Sequence, residues 1–369
     1  MALKARNADY IREYNRKAVL RLLRRNPMSR AQLARDTGLT RAATSLIADE
    51  LLSEGVLMEL SPKSSGRGRC AIPLAVSPDR YLALGVFLSR TGCCAGLCDF
   101  SGNLLCRRPL ELTDDPVEDI VRTLEELLET VDRSKVVGIG ISSPGPLDTK
   151  AGRILNPPRF DRWHGMDIGP ILSERMGMPA YLEHDACALA LHQLEQGSSR
   201  DFLFLLVNSG VGSGIVSNGR LLGGTGHFTG ELGHTTIRFD GRRCECGNRG
   251  CLEAYAAIPN LLEGSRFASW KELIDEADSE DARILLDREG EYLAAGVINL
   301  MNLIPLDTVY LAGDVGYGSD LLGERLKREI ATRALSRDRG AVEVLPADLR
   351  PEAVILSAGD IVFSRFLTV

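Results

Sequence analysis

GELGHTTIRFDGRRCECGNRGCLE, residues 230–253, holds three of the nine cysteines and one of the five histidines, with Glu231 and Glu253 near its ends. Cys244 and Cys246 are one residue apart, and Cys251 follows with Gly247 and Gly250 between them. Glycines permit tight turns with positive φ, so the three sulfurs can converge on one point. With His234 they form a Cys₃His set, which suits a four-coordinate structural Zn2+ with no open position. The spacing is not that of a zinc finger or ribbon. Three ordinary thiols in a Gly-rich loop is the other reading, and it leaves their clustering in so charged a segment unexplained.

The rest of the chain bounds what this stretch belongs to. At 369 residues, two or three compact units of about 100–150 residues each are expected. A 44% hydrophobic content with 25% charged residues is that of a globular protein with a sizeable core. No run approaches the roughly 20 apolar residues of a membrane span. The opening MALKARNADYIREYN has no signal-peptide block, and nine cysteines in a long chain read as reduced thiols plus a metal site. A cytoplasmic, nucleoid-associated protein of bacterial type with no membrane partner is therefore expected.

Charge is distributed unevenly. Residues 1–80 carry fifteen basic and eight acidic side chains, a net +7, which leaves −13 on the remainder of a chain whose total is −6. A basic head on an acidic body fits a DNA-binding module joined to a small-molecule-binding one, although basic helices are often only solvated faces. In the head, 9–25 reads as an amphipathic helix with Ile11, Tyr14, Ala18 and Leu22 on its apolar stripe. Ser29 then caps a short helix, Gly38 supplies a turn, and Thr40 caps a helix over 41–54. Helix, Gly-containing turn and helix make a helix-turn-helix, with Thr44, Ile47 and Leu51 facing the core. Arg30, Thr40, Arg41, Ala42, Ser45 and Leu46 are the candidates for DNA contact. VLMEL and AIPLAV read as two strands of a wing whose loop carries Lys63, Arg67 and Arg69 for phosphates or a narrow minor groove. A flexible basic linker is the bland alternative.

From Tyr81 the pattern is α/β. A three-strand meander, a helix over 116–131 and the strand VVGIGIS are followed by further helices and strands around the Gly-rich NSGVGSG turn, with no internal sequence repeat.

In order, GIGISSPGPLD, LEHDACALA, VNSGVGSGIV and GELGH…CECGNRGCLE resemble the motifs of the ROK family (repressors, uncharacterised frames and sugar kinases) over essentially the whole chain. The resemblance implies an α/β fold: an actin-like ATPase (ribonuclease H-like) two-lobed body with an N-terminal winged helix-turn-helix domain. Expected boundaries are 1–77 for the DNA-binding domain, 78–187 with 349–369 for the first lobe, and 188–348 for the second lobe with the zinc site. The resemblance also implies zinc on His234, Cys244, Cys246 and Cys251, and sugar hydroxyl contacts from Asp185, Glu231, His234 and Glu253. Carboxylates accept hydroxyl protons, and a metal-bound imidazole can donate from its other nitrogen. In kinases of the family the aspartate matching Asp185 is the general base; as a bare residue, Asp185 also reads as a helix N-cap.

Departures from the pattern point away from catalysis. Where kinases of the family carry a DxGGT phosphate loop, this chain has Phe87-Leu88-Ser89-Arg90-Thr91, without the aspartate or the glycines. Ala312-Gly313-Asp314 likewise replaces the Gly-Gly of the adenine-side motif. Asp185 is left as a vestigial base, and the expectation is that the chain is not an enzyme. His184 stands where the family usually has Asn, and Arg159 where it has a sugar-contacting Asn. Arg159 makes an anionic sugar conceivable through guanidinium pairing, a degenerate pocket is equally consistent, and His184 also reads as a satisfied, partly buried histidine.

The expected function is a sequence-specific repressor of carbohydrate-utilisation genes, a homodimer or homotetramer on a palindromic double-stranded DNA operator. A sugar or sugar derivative would modulate its hold on DNA. A sugar kinase with a fused DNA-binding head, or a regulator answering to a protein partner, are the alternatives.

Overall fold

The protein's structure, a computed structural model, describes residues 7–61, 72–197, 199–223, 230–335, 341–347 and 350–368. Lys63, Arg67 and Arg69 lie outside the described residues. The chain divides into two compact units, one of Met1–Ser142, Ile168–Leu182 and Ile355–Val369, the other of Ser143–Asp167 and Glu183–Val354.

The first unit opens with α1 (Ala8–Arg25), β1 (Met28–Ser29), α2 (Arg30–Thr37), α3 (Arg41–Ser53), β2 (Leu57–Glu59) and β3 (Pro73–Val76). The strands form one small sheet in the order β1-β3-β2. Local chemistry sets the helix ends. The Ser29 hydroxyl accepts from the Gln32 N–H while the Gln32 side chain accepts from the Ser29 N–H, a capping box. Gly38 takes a left-handed φ of 72° at the turn, and Thr40 caps α3 by accepting from the Ala43 N–H. Thr44, Ile47 and Leu51 are buried, as their spacing requires.

On α1 the expected stripe is wrong. Val19, Leu20 and Leu23 are buried, whereas Ile11 and Tyr14 are each 49% exposed. The N-terminal half of α1 meets α3 through charge rather than apolar surface: Arg12 pairs with Glu50 at 2.8 Å and Arg16 with Glu54 at 2.6 Å.

The body of this unit is a five-stranded sheet in the order β10-β7-β4-β5-β6. Its elements are β4 (Leu82–Phe87), β5 (Cys93–Asp99), β6 (Leu104–Leu110), α4 (Pro116–Leu128) and β7 (Val136–Ser143). A short ribbon of the second unit, β8 (Leu147–Asp148) and β9 (Arg153–Ile154), precedes α5 (Ile168–Met176) and β10 (Ala180–His184). β4 pairs antiparallel with β5 and parallel with β7.

The second unit contains α6 (Asp185–Glu195), β11 (Phe202–Val207), β12 (Val211–Ser217), β13 (Arg220–Leu221), α7 (Glu253–Ala256) and α8 (Ile258–Leu262). It continues with α9 (Trp270–Asp275), α10 (Glu280–Met301), β14 (Thr308–Gly313), α11 (Ser319–Arg333) and β15 (Glu343–Pro346). Its sheet runs β13-β12-β11-β14-β15, antiparallel on one side of β11 and parallel on the other. Period-2 alternation divides the core: Phe202 and Phe204 pack with Leu189 and Tyr310, while Leu203 and Leu205 pack with Leu286, Leu293 and Leu322. The two sheets therefore share one strand order, a meander extended on its far side by two later strands, although the sequence contains no repeat.

The chain returns to the first unit with α12 (Ala353–Phe366). This helix lies directly on the sheet, because a Cβ at Gly140 would come 1.8 Å from the Ala358 carbonyl oxygen. Its other side receives α1. Arg24 and Asp360 form an ion pair with both side chains only 4% exposed. Arg24 Nε donates to the Phe100 carbonyl at 3.1 Å, and its guanidinium lies 4.8 Å from the Phe363 ring centroid. Arg21 and Lys17 donate to the carbonyl oxygens of Leu367 and Thr368, each at 2.9 Å, at the C-terminal end of α12 where partial negative charge collects. Among the described residues, no helix is long and apolar enough to cross a membrane.

Candidate metal centre and ligand site

His234, Cys244, Cys246 and Cys251 converge as their spacing predicts. One ligand atom from each lies within 4.8 Å of the others. Cys244 Sγ is 3.6 Å from His234 Nδ1, and Cys246 Sγ is 3.7 Å from Cys251 Sγ. Metal–ligand bonds of roughly 2.0–2.3 Å in a tetrahedron give edges of about 3.5–3.8 Å, so the set fits a zinc-sized ion. The surroundings of Cys244 and Cys251 do not favour their charged form. Burial, reinforced by the neighbouring thiols of Cys246 and Cys244, pushes Cys251 up to about 12, and burial raises Cys244 too. Such a set becomes thiolate through a cation rather than through the protein.

The imidazole of His234 connects this bracket to a carboxylate cluster. With Nδ1 turned to Cys244, its Nε2 stands 3.9 Å from Glu231 Oε2. A second imidazole brackets the same carboxylate, with His184 Nε2 3.8 Å from Glu231 Oε1. His184 Nδ1 accepts from the Ala186 N–H at 3.3 Å, which turns Nε2 toward Glu231. His184 is thus buried and is itself the N-cap of α6, a role the sequence reading offered to Asp185. Asp185 occupies the first turn, where its Oδ1 accepts from the same Ala186 N–H at 2.6 Å, 3.2 Å from His184 Nδ1. Gly145 closes the group on one side, since a Cβ there would fall 2.5 Å from His184 Cδ2 and 2.7 Å from Glu231 Oε1.

Glu253 begins α7, and its Oε2 accepts from the Val211 N–H at 2.9 Å, so it is fastened to the Gly-rich loop after β11. Arg159 is placed with Glu253 rather than with His184 and Asp185. Its backbone is left-handed at φ 57°, its Nη2 donates to the Ser209 carbonyl at 3.2 Å, and its Nε is 3.6 Å from Glu245 Oε2. Both residues line a cavity of about 260 Å³ that also takes in Arg242, Arg243 and Asn260. Sequence reasoning missed these three. The Arg242-Arg243 pair immediately before Cys244 was the available signal. Asp314, the altered adenine-side residue, lines a separate cavity of about 660 Å³ with Trp270, Lys271 and Tyr317, and burial raises its carboxyl above the usual range.

In the head, the outer face of α3 presents Arg41, Ala42 and Leu46, the last 62% exposed, with Ser45 half-buried. Two predicted contacts already have intramolecular work. The Arg30 guanidinium lies 2.7 Å from Asp49 and 3.8 Å from Glu59, and the Thr40 hydroxyl serves its own helix.

The duplicated sheet topology with flanking helices defines an actin-like sugar-kinase fold preceded by a helix-turn-helix head. The chain belongs to the ROK family: the family model described as "ROK family" matches residues 83–364. It is 26% identical over 376 residues to the xylose repressor of Bacillus spizizenii, covering 98% of this chain and 97% of that protein. Its fold resembles that of a ROK family transcriptional regulator, a homolog of the Escherichia coli MLC protein. That match has a TM-score of 0.79 and 24% identity, covering 97% of this chain and 96% of that one. The ROK hexokinase of Thermus thermophilus, 29% identical with a TM-score of 0.64, is covered over 99% of its length but spans 77% of this chain.

Proposed function

We propose that this chain is a transcriptional repressor of carbohydrate-utilisation genes whose affinity for operator DNA is set by a sugar or sugar derivative bound beside the metal bracket. One observation carries the reading: a recognition helix with its outer face open and a carboxylate–imidazole cluster suited to hydroxyl groups occur in the same chain. Residues 1–77 form the DNA-binding domain, 78–187 with 349–369 the first lobe, and 188–348 the second, a division by chain segment that differs from the compact units at 143–167, 183–187 and 349–354. Arg41, Ala42, Ser45 and Leu46 read base edges, Arg30 and Thr40 support them, and Lys63, Arg67 and Arg69 take phosphates. Homodimers or homotetramers place two heads on a palindromic operator in the cytoplasm, at the nucleoid.

Asp185, Glu231 and Glu253 accept hydroxyl protons of the sugar, while His184 and His234 donate from Nε2 and Arg159 borders the site. His234 and the three cysteines would hold a structural Zn2+, which would brace the wall that carries Glu231 and Glu253 and supply no reaction.

The chain is not a kinase. In the loop that replaces the phosphate-binding motif, the Ser89 hydroxyl accepts from the backbone N–H groups of Thr91 at 3.3 Å and Gly92 at 3.2 Å, and donates to the Gly92 carbonyl at 2.6 Å. Leu88 is fully buried. Amides that would cradle phosphates are consumed within the loop. The test is binding of the full chain to its own upstream DNA with and without a panel of sugars. Retention of DNA at every sugar concentration would defeat the effector reading, and ATP-dependent phosphorylation of any sugar would replace it with that of a kinase bearing a DNA-binding head.

A further inference from the structure

The loop that carries the cysteine ligands also presents arginines around an exposed aromatic ring. The Cys244 N–H donates to the Asn248 carbonyl at 2.9 Å, and the Gly250 N–H to the Arg242 carbonyl at 2.8 Å. Arg243 and Arg249 are therefore directly opposite in a non-hydrogen-bonded antiparallel pair, the position where side chains approach most closely. Like charges set opposite each other are destabilising. Among the described residues neither guanidinium has a hydrogen bond or an ion pair, and Glu245 between them is engaged by Arg159 instead. Arg238 adjoins the pair, since its N–H reaches the Gly250 carbonyl at 3.3 Å. Its contact with Asp240 at 3.4 Å joins side chains 68% and 60% exposed, so it is weak. Phe239 is 88% exposed at the tip of a turn closed by the Gly241 N–H on the Arg238 carbonyl. The turn is anchored: the buried Tyr255 hydroxyl accepts from the Arg242 N–H at 2.8 Å, and a Cβ at Gly250 would overlap the Arg238 carbonyl oxygen. Arginines around an aromatic ring on a fixed support have the composition of a protein-binding surface.

A complementary surface occurs on α4. Residues 111–132 hold nine acidic side chains and one basic, Arg122. The last turn of α4 has no cation, and Glu126 and Glu129 stand exposed at its C-terminal end, where the helix dipole disfavours negative charge. Glu118 and Glu125 are held by Arg175 and Arg133, whereas among the described residues Glu126 and Glu129 have no ion pair. Each surface thus keeps an electrostatic cost that the chain's own pairs do not relieve. DNA suits the arginines less well, because the chain beyond residue 80 that carries them is acidic in sum, at −13.

We propose that the arginine turn of one copy docks on the acidic C-terminal end of α4 in a second copy, with Arg238, Arg243 and Arg249 around Glu126 and Glu129 and with Phe239 covered between them. The assignment rests on the self-association proposed above and names its surfaces.

The experiment follows self-association of the full-length, metal-loaded chain by sedimentation velocity over a concentration series at low and high salt. The parent associates, and association weakens as salt rises. Arg249→Glu and the double variant Glu126→Lys/Glu129→Lys each raise the dissociation constant at least about tenfold. An equal mixture of the two recovers association, because the reversed charges then face one another. Phe239→Ser weakens association without changing charge. Metal content and melting temperature are measured on every variant, because Arg249 lies close to Cys251; only variants matching the parent in both enter the comparison, and Arg238→Glu substitutes if Arg249→Glu fails this. Reversal variants that associate like the parent overturn the docking surface and leave self-association standing. Dissociation by either reversal without recovery in the mixture overturns α4 as the acceptor. Loss of operator binding with unchanged association overturns the second copy and assigns the arginines to DNA phosphates. If the parent stays monomeric at every concentration, the self-association reading fails and the docking with it.

Discussion

Arg24 and Asp360 meet in the interior of one unit, whereas His234, Cys244, Cys246 and Cys251 converge in a partly open loop of the other. The first fastening is complete within the chain: cation, anion, carbonyl acceptor and aromatic face are all present. The second is four ligands, of which the Cys244 and Cys251 thiols are pushed toward neutrality chiefly by burial. Attachment of the helix-turn-helix head is therefore complete within the chain, while the Cys₃His bracket would need a cation to hold its thiols as thiolates.

The sharpest way to break this contrast is to remove one half of the buried pair. Asp360→Ala leaves Arg24 buried without its carboxylate and is expected to cost about 3–5 kcal/mol in denaturant unfolding. The double variant Arg24→Met/Asp360→Leu regains most of it, since no unpaired charge remains. Recovery no better than the single variant would show that the pair contributes more than charge compensation.

Chelation, or Cys246→Ser, comes next. Loss of an ion present at about a thousandfold over its dissociation constant lowers stability by roughly 4 kcal/mol. Metal content and melting temperature should fall together, and unchanged stability in a metal-free sample would refute the bracket's structural role.

Smaller effects belong to the head. Thr40→Ala removes the α3 cap and costs about 1 kcal/mol of stability, whereas Arg41→Ala leaves stability within about 0.5 kcal/mol and weakens operator binding. Equal operator affinity for Arg41→Ala would exclude that residue from the DNA interface.

The smallest effect is a dependence on pH. Hydrogen bonding and charge from Arg16 lower the Glu54 carboxyl below its ordinary value. A lowered folded pKa contributes stability that is present above the unfolded value of about 4.3 and is lost as pH falls through the folded one. The side chain is 43% exposed, so screening keeps the effect to a few tenths of a kcal/mol. The difference in melting temperature between the parent chain and Glu54→Gln should vanish at acid pH; a constant difference would mean that Arg16–Glu54 pairing does not couple to protonation.

Features encoded locally were legible in the sequence. Ser29, Gly38 and Thr40 act on backbone groups within three or four residues, so the helix-turn-helix could be read from caps and turns alone. The metal ligands were legible because three of them fall within a single short loop. The α1 stripe misled because apolar Ile11 and Tyr14 share a helix with arginines whose partners, Glu50 and Glu54, lie on another element. Arg24 and Asp360 are 336 positions apart, and neither residue type announces a partner at that distance. The common topology of the two sheets was invisible for a related reason: strand order is fixed by which edges pair, and very different apolar side chains satisfy the same pairing.

The joint between α1 and α12 also constrains how proteins of this plan can exchange DNA readers. A graft cut at residue 77 would transplant Lys17, Arg21 and Arg24 without Asp360, Phe363 or the carbonyl ends of Leu367 and Thr368 that receive them. Such a chimera would inherit three cations selected for a docking site at the far end of another sequence. A new operator specificity is better installed by altering the outer face of α3 than by trading whole heads, unless the last helix is exchanged as well.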